Sequence, residues 1–326
     1  MAIDVLVVST GATAGWRAAA CELTDSLARA GADVRAVITR PARQVRTFML
    51  TDFVQARSAR HAATRAIAEY EPRSIVYCSM TAALLWPRPG AIWFDAIAAE
   101  NRPGRHGVWQ RRIERRRLGE APVLMLWSER ALQPLHGPKL ETILVPVPVA
   151  PSGPPGAPRD IDAITYAGDP VKRRLGHVLE TWSRARRGAE TLLVAGIESQ
   201  RELPGVRFAG RLAPAEYRTL LRRARLFIAA PKREDYGIAP LEALADGCML
   251  ASTPAPGGYP ALDLARELDP RLVAEDLAPA IRAALDLPLP GYGERARELL
   301  APFGRDRVDA TIRRRVLPRL LPGFVQ

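Results

Sequence analysis

Short apolar runs alternate with longer amphipathic segments along most of this chain, and that alternation is typical of parallel βα units. In the first half we predict strands at the runs IDVLVVS, DVRAVIT, SIVYC, AIWFD and PVLMLW. In the second half we predict them at IDAITYA, TLLVAG, LFIAA and CMLAST. The segments between them, such as AGWRAAACELTDSLARAG and KRRLGHVLETWSRARRG, have helical spacing. We therefore expect an α/β protein built on parallel sheets.

The two halves begin alike, which favours two doubly wound domains over one large sheet. The apolar run after Ile3 ends at Gly11, and the run after Ile161 ends at Gly168. In open sheets of this kind, ligands bind beyond the carboxyl ends of the strands. We expect the two sheets to face each other across a cleft and the ligands to bind there.

Residues 149–160 separate the two predicted domains, which span residues 1–148 and 161–304. This segment lies within VPVPVAPSGPPGAPRD, and so much proline and glycine cannot hold a helix or a central strand, so we predict a linker or hinge. The tail, about residues 305–326, has the pattern of a last amphipathic helix, which can pack back on the first domain.

Arginine supplies nearly all of the positive charge. Of 47 basic residues, only Lys139, Lys172 and Lys232 are lysines, and the net charge is +12. Such a charge attracts anions, although an arginine preference this uniform is also what GC-rich coding produces. Nucleic acid is not an expected partner, because aromatic residues are only 6% of the chain and no recognised binding signature is present.

The cysteines and the apolar segments bear on location. Cys21, Cys78 and Cys248 are scattered, which fits neither a disulfide framework nor a metal site. The N-terminal run contains an acid and lacks a basic leader, so it predicts a strand and not a signal peptide. The run APVLMLW is too short to span a bilayer. We expect a cytoplasmic protein, with peripheral contact at the inner membrane face as an option.

The stretch REDYGIAPLEALADG contains the most informative motif of the chain. It follows a predicted strand and places Glu234 on a loop and Glu242 one turn into a helix, with Pro240 in the first helical turn. The free amides and dipole of the helix start suit a phosphate, whereas carboxylates suit sugar hydroxyls. This arrangement fits a ligand with a phosphate between hydroxyl-rich rings.

This stretch closely resembles the Glu-x7-Glu signature of retaining glycosyltransferases of the GT-B fold, in the family glycosyl transferases group 1. The resemblance extends from about Ala163 to Ala255 and includes GVRFAGRLAPAEYRTLLRRARLFIAAP and TLLVAG. The first half resembles the family only in its layout. The resemblance implies two Rossmann-like domains facing a cleft and transfer of a hexose-type sugar from a nucleotide sugar to an acceptor hydroxyl, with retention.

The resemblance also implies roles for single residues. Glu234 would contact the donor sugar and Glu242 the ribose hydroxyls, while Lys172 with Arg173 would stabilise the departing diphosphate. The family commonly has an arginine soon after the glycine of the first strand, where this chain has Asp169 and Pro170. The remaining donor-binding candidates lie in loops, namely Tyr236, Gly237, Ile238, Arg211, Leu212 and Gly15.

No metal and no cofactor besides the nucleotide-sugar substrate is implied, because fixed cations and helix amides can stabilise the leaving group. An alternative is that Asp160 and Asp162 form a metal-binding Asp-x-Asp motif, although they precede a strand instead of ending one. A second alternative takes Glu234 and Glu242 as the acid and base of a hydrolase. A third is a non-catalytic GT-B-like protein that binds a membrane or a polyanion.

The acceptor side is less clearly marked. Asp95 ends a predicted strand where family members often place a histidine, and Arg102 and His106 lie in the donor-rich loop that follows. The next segment, VWQRRIERRRL, places Trp109, Ile113 and Leu118 along one side of a helix among arginines. Such a helix can lie on an anionic membrane. Alternatively, it is a solvated helix in which Glu114 and Glu120 partly neutralise the arginines.

Overall fold

A computed structural model describes residues 2–40, 47–102, 104–132, 140–154, 156, 158–257 and 259–323, with only the backbone of Phe48 and His106. The chain divides into two compact units. Unit 1 comprises Met1–Pro148 together with Arg305–Gln326, and unit 2 comprises Val149–Gly304.

The described part of unit 1 contains a six-stranded parallel sheet with the order β2-β1-β3-β4-β5-β6. Its central strands are buried on both faces, which explains their uninterrupted apolar sequence. The three-residue strand β6 is not among the predicted strands, because so short a run has no readable period. The strands are β1 Val5–Ser9, β2 Val34–Ile38, β3 Ser74–Cys78, β4 Ala91–Phe94, β5 Leu124–Leu126 and β6 Thr142–Leu144.

The helices of unit 1 before the linker connect these strands. Helix α1 begins after Thr13, whose hydroxyl accepts a hydrogen bond from the Trp16 amide, and it ends before Gly31 at φ 101°. A glycine in the left-handed conformation thus follows the end of this helix. The helices are α1 Ala14–Arg29, α2 Phe48–Tyr70, α3 Met80–Ala83, α4 Ala98–Asn101 and α5 Val108–Glu120, with 3-10 turns at Arg105–Gly107 and Glu129–Leu132.

The C-terminal tail belongs to unit 1 and packs on α1. It consists of α12 Arg305–Thr311, a π-helical turn Ile312–Val316 and α13 Leu317–Leu320. Val308, Ile312 and Val316 are buried, as their four-residue spacing predicts. Two ion pairs add to this contact: Arg29 Nε lies 2.6 Å from Asp309 Oδ2, and Arg305 Nε lies 2.9 Å from Glu22 Oε1.

The described part of unit 2 contains a five-stranded parallel sheet with the order β11-β10-β7-β8-β9. Edge strand β9 is only half-buried and carries the exposed Arg207, so it lacks the apolar run by which the other strands are recognised. The strands are β7 Ile161–Tyr166, β8 Leu192–Ala195, β9 Val206–Gly210, β10 Ala224–Ala229 and β11 Met249–Ser252.

The helices of unit 2 bury one apolar face each against this sheet or against one another. Trp182, for example, is fully buried and donates its indole N–H to the carbonyl of Gly205 at 2.8 Å. The helices are α6 Leu175–Ala185, α7 Pro214–Arg223, α8 Ile238–Ala245, α9 Pro260–Leu268, α10 Leu277–Asp286 and α11 Tyr292–Leu299, with 3-10 turns at Pro270–Leu272 and Ala301–Phe303.

The proline-rich segment carries no helix or strand in the described part of residues 149–160. It is fastened to unit 2 by the buried carboxylate of Asp246, which accepts hydrogen bonds from the amide and hydroxyl of Ser152 at 2.8 and 2.9 Å. Arg218 and Arg222 donate to the carbonyls of Ala150 and Ser152. Two arginines of α7 and the aspartate that follows α8 therefore hold a segment that has no regular structure of its own.

Candidate donor site and comparison with known proteins

The strand order of unit 2 identifies where a ligand can bind. From β7 the chain moves outward to β8 and β9, and then returns to the opposite side of β7 to form β10 and β11. The switch in direction lies between β7 and β10. At such a point the loops that follow the two strands diverge and leave a crevice at their carboxyl ends.

Three loops meet at this crevice. The amide of Lys232, after β10, donates to the carbonyl of Lys172, after β7, at 2.9 Å. The amide of Glu234 donates to the carbonyl of Pro256, after β11, at 3.0 Å. Backbone hydrogen bonds thus position the first glutamate of the motif between the neighbouring loops.

Glu234, Lys172 and Arg173 form a charged cluster in the crevice. The Glu234 side chain is only 7% exposed, and its Oε1 lies 3.7 Å from Nζ of Lys172. Its Oε2 pairs with the guanidinium of Arg173. Lys172 is the more accessible of the two cations. The structure therefore brings together the three residues that we predicted to act on the donor.

Asp169 and Arg174 shape the loop that carries the two cations. Oδ1 of Asp169 accepts from the amides of Val171 and Lys172 at 3.1 and 2.9 Å, which is an Asx-type turn. Arg174 follows in the left-handed conformation at φ 49° and precedes α6. Burial lowers the pKa of the Arg173 guanidinium, whereas Asp169 acts in the opposite direction. Where the resemblance led us to expect an early arginine, this chain therefore has a turn held by Asp169, and Arg173 pairs with Glu234.

Gly237 allows the chain to turn sharply between the two glutamates. It lies at φ 80° directly before α8, and an added Cβ would lie 2.9 Å from Tyr259 Cδ2 and 3.3 Å from Glu234 Cγ. Tyr236 before it is buried, and Ile238 after it begins the helix. Only glycine satisfies both the backbone conformation and the close packing here.

Glu242 lies on α8 beside a second arginine. Its Oε1 is 3.7 Å from Arg218 on α7, and Nε of Arg218 also donates to Oδ2 of Asp246 at 2.6 Å. Burial raises the pKa of Glu242 to about 7, with Arg218 opposing and Asp246 adding to this effect. One guanidinium therefore bridges the second glutamate of the motif and the aspartate that holds residues 149–160.

The candidates for contact with the base lie farther along the sheet. Arg211 is exposed and Leu212 half-buried, and both follow β9, which is two strands from β7. The preceding Gly210, at φ 71°, accepts a hydrogen bond from the amide of Gly196 at 2.8 Å. This bond joins the residue after β8 to the last residue of β9.

The acceptor-side candidates belong to unit 1. The half-buried Asp95 follows β4 directly. Gly15, which we predicted to bind the donor, also lies in unit 1, where it is the second residue of α1, near the crevice between β1 and β3. Arg102 is held by the buried Asp52, with Nε 2.7 Å from Oδ2. The side chain of His106 lies outside the described residues. Arg102 thus has a structural partner in addition to the role we predicted for it.

Comparison with known proteins agrees with this architecture. Residues 162–287 match the family model for glycosyl transferases group 1. Sucrose-phosphate synthase from Thermosynechococcus elongatus superposes with a TM-score of 0.74 at 15% identity, over 96% of this chain and 97% of that one. WaaG, a glycosyltransferase involved in lipopolysaccharide biosynthesis, gives 0.70 at 14% identity, over 98% and 100%.

A third structure completes the comparison. The UDP-forming α,α-trehalose-phosphate synthase from Burkholderia xenovorans, in complex with glucose-6-phosphate, gives a TM-score of 0.68 at 14% identity, over 97% and 99% of the chains. The fold is GT-B. A search of curated protein sequences found no match to this chain. The resemblance predicted from the motif is confirmed by the family match and by the GT-B fold.

Within this GT-B fold, the structure corrects the environment that we predicted for Glu114. We predicted Glu114 as a partial neutraliser of a solvated helix, but it is 4% exposed and accepts the Ala98 amide at 2.9 and 2.8 Å with its two oxygens. Burial raises the pKa of Glu114 to about 7. Its four-residue spacing from Gln110 and Leu118, which are also buried, was the available signal. Glu120 does pair with Arg116 and Arg117, each at 2.6 Å.

The aspartates of the alternative Asp-x-Asp motif have other partners in unit 2. Asp160 pairs with the guanidinium of Arg223, and Oδ2 of Asp162 accepts from the amide of Thr191 at 3.0 Å. Among the described residues, no group of three or more His, Cys, Asp or Glu side chains could hold a metal ion. No helix in the described part of the chain has the length and apolar character needed to cross a membrane.

Proposed function

We propose that this protein is a retaining glycosyltransferase of the hexosyltransferase type, which moves a sugar from a nucleotide-sugar donor to an acceptor hydroxyl without a metal. The observation that carries the proposal is the cluster of Glu234, Lys172 and Arg173 at the switch point of unit 2. The family match over residues 162–287 supports the same assignment.

Charge development in the reaction explains the two cations. When the bond between the sugar and the diphosphate breaks, the electron pair moves to the leaving oxygen. Lys172 and Arg173 would stabilise that charge, and the amides of Tyr236, Gly237 and Ile238 would add their dipoles. A relative named for forming UDP supports a nucleoside diphosphate as the leaving group here. Two fixed cations in this position supply the stabilisation that a metal would otherwise provide.

Glu234 would exchange its hydrogen-bonding partners when the donor binds. Its carboxylate is paired with both cations, and a diphosphate bound beside Lys172 and Arg173 would compete for them. The carboxylate would then accept hydrogen bonds from hydroxyls of the donor sugar. This exchange keeps a nearly buried charge paired before and after binding, which matters because an unpaired buried charge is costly.

Glu242 would bind the two ribose hydroxyls in its ionised form, because a carboxylate is the stronger acceptor. Arg218, 3.7 Å away, favours that form. Backbone groups at Arg211 and Leu212 would contact the base. We assign unit 2 to the donor and unit 1 to the acceptor, with Gly15 approaching the donor phosphate and Asp95, Arg102 and His106 as acceptor-side candidates.

The location that fits this proposal is the cytoplasm. Cys21, Cys78 and Cys248 are all free in the structure, as is usual in a reducing compartment. Burial raises the pKa of the Cys248 thiol to about 12, so this cysteine stays an unreactive thiol.

The first test is thermal stability with UDP, GDP, ADP or TDP, each with magnesium or with EDTA. A ligand that binds only the native state at 100 times its Kd adds about 2.7 kcal/mol of stability. We expect one of the four nucleotides to raise the melting temperature, by the same amount with magnesium and with EDTA. Lys172→Met should reduce this shift, whereas Lys232→Met, an exposed lysine of the adjoining loop, should preserve it.

Activity and stereochemistry complete the test. The preferred base identifies the nucleotide sugars to be tried with candidate acceptors, and proton NMR of the product reports its anomeric configuration. Turnover with retention and in EDTA would support the proposal. Inversion would overturn the assignment as a retaining enzyme. Loss of activity in EDTA would overturn the assignment as a metal-independent enzyme. If no nucleotide shifts the melting temperature, the non-catalytic GT-B-like alternative is favoured instead.

A further inference from the structure

Helix α2 begins with apolar side chains that face solvent. Leu50, Phe53 and Val54 are 43%, 42% and 40% exposed, and their i, i+3, i+4 spacing puts them on one face of the helix. Val108, the first residue of α5, is 55% exposed. These four residues are most of the large apolar side chains exposed in the described part of the chain. Their concentration in unit 1 indicates a surface with a partner.

The two helix starts are joined, so these residues form one surface. The ring of Phe53 meets the ring of Trp109 edge-on, with centroids 6.0 Å apart and an interplanar angle of 74°. Oδ2 of Asp52 on α2 accepts from the side-chain amide of Gln110 on α5, and also from Arg102, which follows α4, at 2.7 Å. Buried polar contacts thus position the apolar residues of α2 beside the start of α5.

Arginines surround this apolar surface, and the acids of the region face inward. Arg57, Arg105, Arg112 and Arg115 are exposed, and among the described residues none of the four forms an ion pair with a carboxylate. Asp52 and Glu114 are buried. The solvent-facing charge is therefore positive, next to protruding apolar side chains. We name this surface the tip; it consists of Leu50, Phe53, Val54, Arg57, Arg105, Val108, Arg112 and Arg115.

We propose that the tip docks on an anionic lipid bilayer. Exposed aliphatic and aromatic side chains match the boundary of the acyl chains, and the arginines beside them match anionic headgroups. A nucleic acid would contact the arginines but would leave Leu50, Val54 and Val108 in water. The tip therefore fits a bilayer better than a polyanion. The protein would lie on the membrane through unit 1 and would not span it.

This surface differs from the one expected from the sequence. The predicted membrane-facing residues were Trp109, Ile113 and Leu118 of α5, but Leu118 is buried in the core and the other two are half-buried. The exposed apolar residues come instead from α2 and from Val108. The inference does not depend on the donor site, because no residue of the tip belongs to it.

The test is co-sedimentation of the full chain with vesicles. One set is phosphatidylcholine alone and the other is an equimolar mixture of phosphatidylcholine and phosphatidylglycerol, each at low and high salt. We expect binding to the mixed vesicles that weakens with salt. The triple variant Arg105→Gln/Arg112→Gln/Arg115→Gln should bind on the order of 100-fold more weakly, at about fivefold for each arginine. Its control is Arg201→Gln/Arg207→Gln/Arg295→Gln, which removes the same charge from exposed positions of unit 2.

The apolar contribution is tested separately, because it distinguishes a bilayer from a polyanion. Phe53→Ser/Val54→Ser and Val108→Ser should each weaken vesicle binding about tenfold. Leu287→Ser, at an exposed apolar position of unit 2, should have no effect. Val108 is the most exposed of the four, so this variant keeps the test decisive if the double variant unfolds.

Three results would overturn the proposal. The first is equal binding by the arginine variant and its control. The second is full binding by Val108→Ser together with tight binding to a DNA duplex, which would mean a polyanion site. The third is the absence of binding to the mixed vesicles at low salt.

Discussion

Nζ of Lys172 lies 3.7 Å from Oε1 of Glu234, although the two residues follow different strands and are brought together only by the order of those strands in the sheet. Arg173 pairs with the other oxygen of the same carboxylate. Two cations of different accessibility thus share one nearly buried carboxylate. We expect substitution of these three residues to show that they depend on one another.

Lys172→Met and Glu234→Gln should each lower kcat on the order of 100-fold, because in the proposed function each removes a group that acts on the departing diphosphate or the donor sugar. The double variant should lose much less than the product of the two single losses, since the residues act as a unit. Steady-state kinetics of the four proteins measures this coupling. Lys232→Met is the matched control, and fully additive effects would contradict the shared role.

If Glu242 binds the ribose as we propose, Glu242→Gln should mainly raise the KM for the nucleotide sugar, because the ribose is remote from the bond that breaks. The pKa of Glu242 is raised to about 7 by burial, and the ionised form is the better acceptor. In the wild type, kcat/KM should therefore rise as pH increases through about 7. Glu242→Gln should flatten this rise, which a pH series from acid to neutral solution would measure.

Arg218→Met should shift the midpoint of the same kcat/KM profile to higher pH. The positive charge of Arg218 lowers the pKa of Glu242, against the effect of burial, so the loss of Arg218 should raise that pKa. Arg222→Met is the control, because Arg222 lies one turn along α7 and donates to Ser152. If both variants kept the wild-type profile, Arg218 would have only a structural role with Asp246.

Gly237→Ala should lower activity by more than its effect on folding explains. The new Cβ would lie 2.9 Å from Tyr259 and 3.3 Å from Glu234, so it would displace the Glu234 carboxylate. Gly291→Ala is the control, since Gly291 has a similar φ of 70° before a helix but an added Cβ there would meet only Oε2 of Glu294, at an ordinary contact distance of 3.9 Å. Each variant should lose about 1–2 kcal/mol of stability from backbone strain. Equal activity in the two would argue against the positioning of Glu234 by this turn.

Glu114→Gln should change how stability depends on pH. Burial raises the pKa of the Glu114 carboxyl from 4.5 to about 7 in the folded protein. Between these values the native state binds more protons than the unfolded state, so this group's contribution is present below the unfolded pKa and is lost as pH rises through the folded pKa. The variant does not titrate, so above pH ~7 it should be more stable than wild type by about 1–3 kcal/mol.

Thermal unfolding across this pH range tests the prediction for Glu114. The difference in melting temperature between variant and wild type should be small in acid and should grow as pH approaches neutral. A difference that is independent of pH would mean that the carboxyl of Glu114 does not titrate in this window. Glu120→Gln is the control at an exposed position of the same helix, where ion pairs with Arg116 and Arg117 lower the pKa of Glu120.

Periodicity was sufficient for most of the fold. Strands buried on both faces, such as β1 and β10, have continuous apolar runs, and the tail places Val308, Ile312 and Val316 on one helical face. The short strand β6 and the edge strand β9 were missed because tertiary pairing, and not an apolar run, makes them strands. Helix α2 was missed because apolar side chains at its start face solvent, so its sequence does not separate a buried apolar face from an exposed polar face.

By itself, the sequence determined the α/β class, the two-part layout, and the motif that places Glu234 and Glu242 on either side of a helix start, because these follow from local spacing. The tertiary structure alone decided that Lys172 and Arg173 meet Glu234, that Arg218 reaches Glu242, and that Glu114 faces inward. The physical reason is that such contacts join loops and helices from distant parts of the chain. Strand order and burial determine them, and no local pattern encodes either.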